Sequence, residues 1–262
     1  MVSDTVYGQI YAKGQKYGTI NISFSPYRER TKDSIVKGQH NMEEIMTVPI
    51  ELEGKANEIS RFRSRIKAYL TAFGECYDKF TVTGNDTFLG YVSETAVKKY
   101  IDNNYGDKYK VHSWSDYFDI ERIEYAVLNN ISDPVEIEYV RTFFYDKYDL
   151  EIIEKKSGKR IFVDVKTAET SKKPQLTWDF LYPVVQNSRE GKDCVILCYY
   201  YKQGNVKRII LVGYISENEI SKKKILKAGQ RTKFGTINQI DNYETKVTDY
   251  KPLSSMLEKQ LF

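Results

Sequence analysis

Two apolar segments joined by a short polar turn, in "DLEIIEKKSGKRIFVDVKT", constrain the fold of this chain most strongly. The segments DLEII and RIFVDVKT have strand composition, and the intervening KKSGK contains a glycine that favours a tight turn. A β-hairpin is therefore predicted. Pairing about this turn brings Asp149, at the start of the first strand, close to Asp164 on the second strand.

Asp164 and Lys166 are two positions apart on the second predicted strand, so their side chains share one face of the sheet. Val165 then points to the opposite face, into a core. Two carboxylates as close as Asp149 and Asp164 repel each other unless a cation lies between them. A hard divalent cation, Mg²⁺ or Mn²⁺, suits such oxygen ligands. Lys166 would orient or deprotonate a water on that ion, or offset charge on a phosphorus under attack. The alternative interpretation is a surface ion pair at the end of a hairpin.

An acidic residue, any residue and then lysine is a common pattern, and it recurs elsewhere in this chain. The other occurrences are Glu53–Lys55, Glu154–Lys156 and Glu244–Lys246. Each of these lacks an acidic residue at the start of a partner strand together with a glutamate on a preceding helix. Of these occurrences, the Asp164–Lys166 pair is therefore the one that indicates a metal-binding or catalytic site.

Residues 1–84 are predicted to form a small α+β module in a strand–helix–strand arrangement. The segments YGTINISFS, EIMTVPIELE and KFTVT have strand patterns, and NEISRFRSRIKAYLTAFG has apolar residues at helical spacing. Asn57 is a candidate cap at the start of this helix and Gly74 at its end. Its basic side chains, predicted to lie mostly on the outward face, are Arg61, Arg63, Arg65 and Lys67. They indicate either a DNA-contacting surface or a solvated helix face.

Residues 85–262 are predicted to form the main domain. A helix over TFLGYVSETAVKKYIDNNYG ends at Gly106 and carries Glu94. After a segment at about residues 107–145 comes the hairpin, then a predicted helix over LTWDFLYPVVQNSRE, interrupted at Pro183. DCVILCYYY and VKRIILVGYI are predicted strands joined by KQGN. A capped helix is predicted over SENEISKKKILKAG, and NYETKVTDY is one more candidate strand.

Composition excludes several classes of protein. The two histidines, His40 and His112, make a His-rich zinc site or a Ser-His-Asp triad improbable, and the three cysteines have no metal-ligand spacing. No apolar run approaches the length of a membrane span, and the N-terminus lacks a signal-peptide pattern. A cytoplasmic protein with no membrane partner is therefore expected. The net charge of +4 does not by itself indicate nucleic-acid binding.

The order and spacing of these residues resemble the PD-(D/E)XK nuclease superfamily over about residues 86–215. GYVSETAV is similar to the G-x-x-G-E-x-A-V helix of its resolvase-like and phage-type members, and VDVKTA is similar to their EVKT strand. The resemblance implies a restriction-endonuclease-like core, an α/β (α+β) fold in which a central mixed sheet is flanked by helices. The 107–145 segment would be an insertion in that core. Tyr148 stands where the family commonly has proline.

The resemblance also implies roles for individual residues. Asp149 and Asp164 would be metal ligands, Glu94 a ligand of the metal or of its water shell, and Lys166 the catalytic lysine. Gln175 would be a further polar residue of the site. Asp146 or Glu136 are alternatives to Asp149 or Glu94. By comparison with phage-encoded members, lysines of the SENEISKKKILKAG helix would contact phosphates, unless they form a solvated face; they include Lys222, Lys223 and Lys227.

The function that follows is a Mg²⁺- or Mn²⁺-dependent DNA endonuclease in a prokaryotic or phage-infected cell. Two forms stay open, a type II restriction enzyme that reads base edges and a repair nuclease that reads backbone and shape. A homodimer is compatible with either form. A non-catalytic DNA-binding protein that retains the nuclease fold is the alternative from another class.

Overall fold

The computed structural model describes residues 6–12, 15–22, 42–75, 84–187, 191–232, 235 and 237–258, with side chains described from residue 42 onward. The chain divides into two compact units, Met1–Gln39 and His40–Phe262. In the first unit, β1 (Val6–Ala12) and β2 (Gln15–Ile22) form an antiparallel hairpin. The candidate site residues all lie in the second unit.

The second unit alternates strands and helices along the chain. Its strands are β3 (Glu43–Thr47), β4 (Tyr109–Ser113), β5 (Leu150–Glu154), β6 (Arg160–Thr170), β7 (Asp179–Pro183), β8 (Cys194–Gln203), β9 (Val206–Ser216), β10 (Ile225–Leu226) and β11 (Asn242–Lys246). Its α-helices are α1 (Ile50–Ala72), α2 (Gly84–Tyr105), α3 (Ile120–Leu128), α4 (Pro134–Phe144), α5 (Val184–Asn187), α6 (Glu217–Ile220) and α7 (Leu253–Glu258).

Six of these strands form a mixed sheet in the order β3-β9-β8-β6-β5-β4. All neighbouring pairs are antiparallel except β6 and β8, which run parallel. A parallel pair needs a crossover, and here the crossover carries β7, which pairs with β11 in a separate antiparallel sheet ordered β10-β11-β7. The predicted fold class, a mixed sheet flanked by helices, is confirmed at this level.

The alternation of side chains along β6 divides the interior of the second unit into two cores. Val163 and Val165 belong to the core that the sheet forms with α2 and α7. On the opposite face, Leu197 of β8 and Tyr182 of β7 belong to the core under the three-stranded sheet. Asp164 therefore points to the face of β6 on which Tyr182 lies, as the period of two in a strand requires.

The long helix α1 contributes to two cores. Leu52 and Ala56, near its start, pack into the core around α2, whereas Ile66 and Leu70 pack with α3 and α4 in a third core. β3 pairs with β9. Because β3 and α1 thus belong to the second unit, the domain boundary predicted between residues 84 and 85 lies instead between residues 39 and 40.

The two ends of α1 follow different local rules. Gly74 adopts φ = +73°, and the amides of Gly74 and Glu75 donate to the carbonyls of Thr71 and Leu70, which is the Schellman motif. The end predicted at Gly74 is confirmed. The start predicted at Asn57 is wrong, because Pro49 in extended conformation precedes the first turn. The strand predicted over EIMTVPIELE is accordingly limited to β3.

Some of the other predicted helices and strands are confirmed and some are wrong. Helix α2 with its end before Gly106, the β5–β6 hairpin and the β8–β9 hairpin are confirmed. The helix predicted over LTWDFLYPVVQNSRE is wrong over Asp179–Pro183, because β7 forms there through pairing with β11. Within the described part of that segment, only the single turn α5 is helical. SENEISKKKILKAG forms one helical turn, α6, capped by Ser216, before β10 also pairs with β11. The KFTVT strand lies outside the described residues.

The segment predicted as an insertion at residues 107–145 is in part a member of the sheet. β4 pairs with β5 along its length, from Tyr109 opposite Glu154 to Ser113 opposite Leu150. Only the part after β4, which contains α3 and α4, leaves the sheet and packs against α1. The inserted element is therefore a helical pair between two neighbouring strands.

Candidate active site

Asp149 lies immediately before β5, where the antiparallel pairing with β6 stops. Its backbone amide donates to the carbonyl of Val163, at 2.9 Å. Its side chain also binds β6, because Oδ2 of Asp149 accepts a hydrogen bond from the backbone amide of Val165 at 2.6 Å. The carboxylate of Asp149 is thus held beside β6 at the level of Asp164.

Asp164 is 1% exposed and is bound by three donors. Oδ1 lies 2.5 Å from Nζ of Lys192, Oδ2 lies 2.9 Å from Nζ of Lys166, and Oδ2 also accepts the Tyr182 hydroxyl at 3.0 Å. Burial alone would raise the pKa of Asp164, but the charges and hydrogen bonds of Lys166 and Lys192 outweigh it and lower the pKa to about 2. Asp164 is therefore ionised and tightly held.

Glu94 enters the same site from the middle of α2. It is partly exposed to solvent although it lies deep in the protein. Burial, and then the negative charges of Asp149 and Asp146, raise the pKa of Glu94 well above its usual value. Burial and the charge of Asp164 likewise raise the pKa of Asp149, to about 7. Glu94 and Asp149 are therefore neighbouring carboxylates whose charge the protein compensates incompletely.

Lys166 remains positively charged in this environment. Burial would lower its pKa, but the nearby carboxylates of Asp164 and Asp149 raise it above the usual value. Its Nζ bonds to Asp164, and its side chain keeps about a quarter of its surface exposed, at 23%. A charged, partly accessible ammonium can orient a water or stabilise an oxyanion, but it is poorly suited to accept a proton.

Of the two alternative acids, the structure brings one to the site. Asp146 follows α4, and its charge acts on Glu94, Asp149 and Lys166. Glu136 lies at the start of α4 and is bound instead by Arg122, with Oε1 at 2.6 Å from Nη2.

Arg63 was predicted to face outward and contact DNA, but its position is different. The guanidinium donates to the carbonyl of Phe144 at 2.9 Å and lies 3.6 Å from Oδ2 of Asp146. Its charge also lowers the pKa of Glu94. Arg63 is therefore a partly buried counterion at the edge of the carboxylate group rather than an outward side chain.

The other predicted DNA-contacting residues are spread over two regions. On α1, Arg61 and Arg65 are exposed and Lys67 is half-buried. Arg65 lies 4.0 Å from Glu124.

The lysines after α6 do not form the predicted basic helix. Lys222 is exposed, Lys223 pairs with Asp249 at 2.8 Å, and Lys227 pairs with Asp241 at 2.7 Å. Two of the three charges are thus already compensated within the protein.

Gln175 was predicted near the start of the helix that follows the strand of Asp164 and Lys166. It is exposed in the loop before β7, and its carbonyl accepts the amide of Trp178. The helix that would have turned it toward the site is absent from this described segment.

Tyr148, the residue before Asp149, is held by aromatic packing. Its ring lies 4.6 Å from that of Phe162 and meets Trp114 edge-on at 5.0 Å, between ring centroids. The backbone carbonyl of Asp149 also accepts a hydrogen bond from the amide of Trp114 at 3.1 Å. The ring packing of Tyr148 and this hydrogen bond together hold the backbone at Asp149 in place.

Lys192 and Tyr182 are functional candidates that the sequence analysis missed. Lys192 is the residue before Asp193 and β8, and the parallel pairing places Val163 opposite Cys194, so the start of β8 lies beside Asp164. Only the parallel register of β6 and β8 would have identified Lys192, and the periodicity of the sequence does not determine that register. Tyr182 lies in the segment predicted as a helix, and its local sequence carries no such signal.

The donor chemistry of the site fits a hard divalent cation. The three acids Glu94, Asp149 and Asp164 supply only carboxylate oxygens. Burial, and then the negative charge of neighbouring carboxylates, raises the pKa values of Glu94 and Asp149, and such an ion would neutralise that charge. Among the residues that the structure describes, however, no three His, Cys, Asp or Glu side chains are already arranged to hold a metal ion. The ammonium groups of Lys166 and Lys192 contact the oxygens of Asp164 instead.

Comparison of the chain with models of known protein families found no match, and comparison with curated protein sequences found none either. Within the described part of the chain, no helix has the length and apolarity needed to cross a membrane. The assignment of a function therefore depends on the geometry of the site itself.

Proposed function

We propose that the protein is a Mg²⁺- or Mn²⁺-dependent DNA endonuclease related to the PD-(D/E)XK superfamily. The observation that carries this proposal is the gathering of Glu94, Asp149, Asp164 and Lys166 where the β5–β6 pairing ends. Glu94 comes from α2, Asp149 from the residue before β5, and Asp164 and Lys166 from β6. The charge of Asp149 acts on the pKa values of Glu94 and Lys166, and the charge of Asp164 acts on those of Asp149 and Lys166. A surface ion pair at a hairpin end would not bury an aspartate to 1% exposure.

The order of elements supports the same proposal. Helix α2 with Glu94 is followed by the antiparallel strands β4, β5 and β6 and then by the parallel strand β8. This agrees with the order helix–strand–strand–strand–helix–strand that the resemblance implies, apart from the inserted helices α3 and α4 and the second helix of that order. The crossover differs as well, since its described part contains β7 and the single turn α5 in place of a long helix.

In the proposed reaction, Glu94, Asp149 and Asp164 would hold a divalent ion, and that ion would supply Lewis-acid activation of the scissile phosphodiester and of the attacking water. Lys166 remains protonated, so it orients the water and stabilises negative charge developing on the phosphate oxygens. Tyr182 and Val165 position the two aspartates, through a hydroxyl to Asp164 and a backbone amide to Asp149. The exposed cations of α1, Arg61 and Arg65, are available for backbone phosphates.

One observation favours a second candidate, a DNA-binding protein without catalysis. Both oxygens of Asp164 are already engaged by ammonium groups, at 2.5 and 2.9 Å. A site that serves only to stabilise the fold would keep this arrangement permanently. The two candidates differ in whether a metal ion replaces one of these contacts.

Incubation of the protein with supercoiled plasmid in Mg²⁺, Mn²⁺ or EDTA tests the proposal. Metal-dependent nicking or linearisation is expected, and it should be lost in Asp149→Ala and Lys166→Ala. Lys156→Ala is the matched control, because Lys156 belongs to another acid-x-Lys sequence but is exposed in the β5–β6 turn. Its activity should equal that of the wild type.

The outcomes separate the candidates. A gel shift of DNA without cleavage in either metal would reject the nuclease and support the binding protein. Equal cleavage by Lys166→Ala and wild type would reject the assigned site. Discrete fragments from a long linear substrate identify the restriction form, whereas a smear identifies a nuclease that reads backbone and shape.

A further inference from the structure

Lys192 occupies a place in the site that the proposed reaction does not require. It is 9% exposed, and its Nζ lies 2.5 Å from Oδ1 of Asp164, on the oxygen that Lys166 does not contact. Lys166 and Tyr182 both bind Oδ2. Asp164 thus has two ammonium partners for one negative charge.

The segment around Lys192 is fixed to β6 by its neighbour Asp193. The amide of Asp193 donates to the carbonyl of Phe162 at 2.8 Å, and Oδ2 of Asp193 accepts the amide of Phe162 at 2.8 Å. The carbonyl of Asp193 further accepts the amide of Glu217 at 3.0 Å. The backbone that carries Lys192 is therefore held in place, and only the side chain itself can withdraw from Asp164.

Positive charge is unevenly distributed among the three carboxylates of the site. Asp164 is overcompensated by two ammonium groups, while Glu94 and Asp149 repel each other and lack a direct ion-pair partner among the described residues. A divalent ion that binds all three carboxylates needs an oxygen of Asp164. It would have to approach close to the ammonium of Lys192, which repels it.

We propose that Lys192 is a positioning residue that serves as an internal counterion for Asp164 and competes with the divalent cation for Oδ1. This inference rests on the proposed function, since it concerns the metal site of the proposed nuclease. While the metal is absent, Lys192 keeps Asp164 ionised and in place. On metal binding its side chain leaves Oδ1, so Lys192 sets how much free metal is needed to form the active site.

The direction in which metal affinity changes when Lys192 is replaced distinguishes competition with the metal from a purely structural role. Replacing Lys192 by the neutral, unbranched methionine removes the competing charge and frees Oδ1. Even at the dielectric constant of water, repulsion between single and double positive charges about 5 Å apart corresponds to roughly a tenfold change in affinity. The affinity for metal should therefore increase. If Lys192 only supported the fold, its removal would loosen Asp164 and leave metal affinity unchanged or weaker.

The experiment is a titration of the full chain with Mn²⁺, with free ion measured by electron paramagnetic resonance and no nucleic acid present. Lys192→Met should bind Mn²⁺ at least about tenfold more tightly than the wild type. Lys207→Met is the matched control, because Lys207 pairs with Glu53 at 2.6 Å in a contact that involves none of the site carboxylates. It should bind Mn²⁺ as the wild type does.

Two different failures are distinguishable. If the wild type binds Mn²⁺ and Lys192→Met binds it equally or less tightly, competition by Lys192 is refuted while the metal site stands. If neither protein binds Mn²⁺, the metal-dependent nuclease is refuted together with the inference. Circular dichroism checks that Lys192→Met is folded. If Lys192→Met does not fold, Lys192→Gln is used in its place. The same increase in Mn²⁺ affinity is expected of Lys192→Gln, and an equal or lower affinity refutes competition by Lys192.

Discussion

Replacing Asp149 by asparagine should stabilise the metal-free protein at neutral and alkaline pH. Burial and the charge of Asp164 raise the pKa of Asp149 to about 7, from an ordinary value of 3.8. The folded state therefore prefers the protonated carboxyl, and folding stability falls as pH rises from the unfolded-state pKa to the folded-state pKa. Asparagine carries no charge and can still accept the amide of Val165 through its side-chain oxygen.

The magnitude follows from linkage between protonation and folding. A difference from 3.8 to about 7 corresponds to an electrostatic penalty of roughly 4 kcal/mol once Asp149 is fully ionised, and roughly 2 kcal/mol at pH 5. The advantage of Asp149→Asn over the wild type should therefore grow by about 2 kcal/mol between pH 5 and pH 8. These values are upper figures, because relaxation around a partly accessible carboxylate reduces the penalty.

The assay is urea unfolding of both proteins at pH 5 and pH 8 in EDTA, followed by circular dichroism. Asp164→Asn is the control of opposite sign, since Lys166 and Lys192 hold the pKa of Asp164 near 2, and the variant should be less stable than the wild type at both pH values. An Asp149→Asn protein that is no more stable than the wild type at pH 8, or whose advantage does not grow with pH, would contradict the reasoning.

Two further predictions concern single contacts. Tyr182→Phe removes the hydroxyl that donates to Asp164 at 3.0 Å, so a loss of about 1.5–3 kcal/mol in the free energy of unfolding is expected in the same urea assay, and an unchanged value would show that the bond contributes nothing. Gly213→Ala should lower that free energy by about 2 kcal/mol or more, because Gly213 has φ = +145° and an added Cβ would lie 2.1 Å from the carbonyl oxygen of Lys251. Gly54→Ala is its control: no atom lies within 4 Å of the added Cβ on α1, and a gain of about 0.5–1 kcal/mol is expected; equal effects of the two substitutions would contradict the steric argument.

The features that the sequence predicted correctly are those set by neighbours along the chain. The β5–β6 hairpin needs only two apolar segments and a turn containing Gly158, which adopts φ = +72°. The end of α1 depends on Gly74, and the buried stripe of α2 depends on helical spacing. Because Asp149, Asp164 and Lys166 all belong to this one hairpin, their proximity could be predicted without knowledge of the rest of the fold.

The features that were missed depend on pairings between distant segments. β7 forms because Tyr182 lies opposite Tyr243, some sixty residues later in the chain, and that pairing overrides the helical spacing of its own segment. Lys192 reaches Asp164 through the parallel register of β6 and β8, which periodicity does not determine. Arg63 was placed outward because its contact with Asp146 depends on how α4 packs against α1.

The dependence of β7 on β11 has a consequence for how the protein is made. Tyr182 is held in a sheet whose central strand, β11, begins at Asn242. A nascent polypeptide emerging from the ribosome therefore already contains Asp149, Asp164, Lys166 and Lys192 long before β7 can acquire its partner. Until β11 has been translated, the Tyr182 hydroxyl cannot be fixed against Asp164 by this sheet, so the complete set of donors to this carboxylate is assembled only after synthesis has passed Asn242–Lys246.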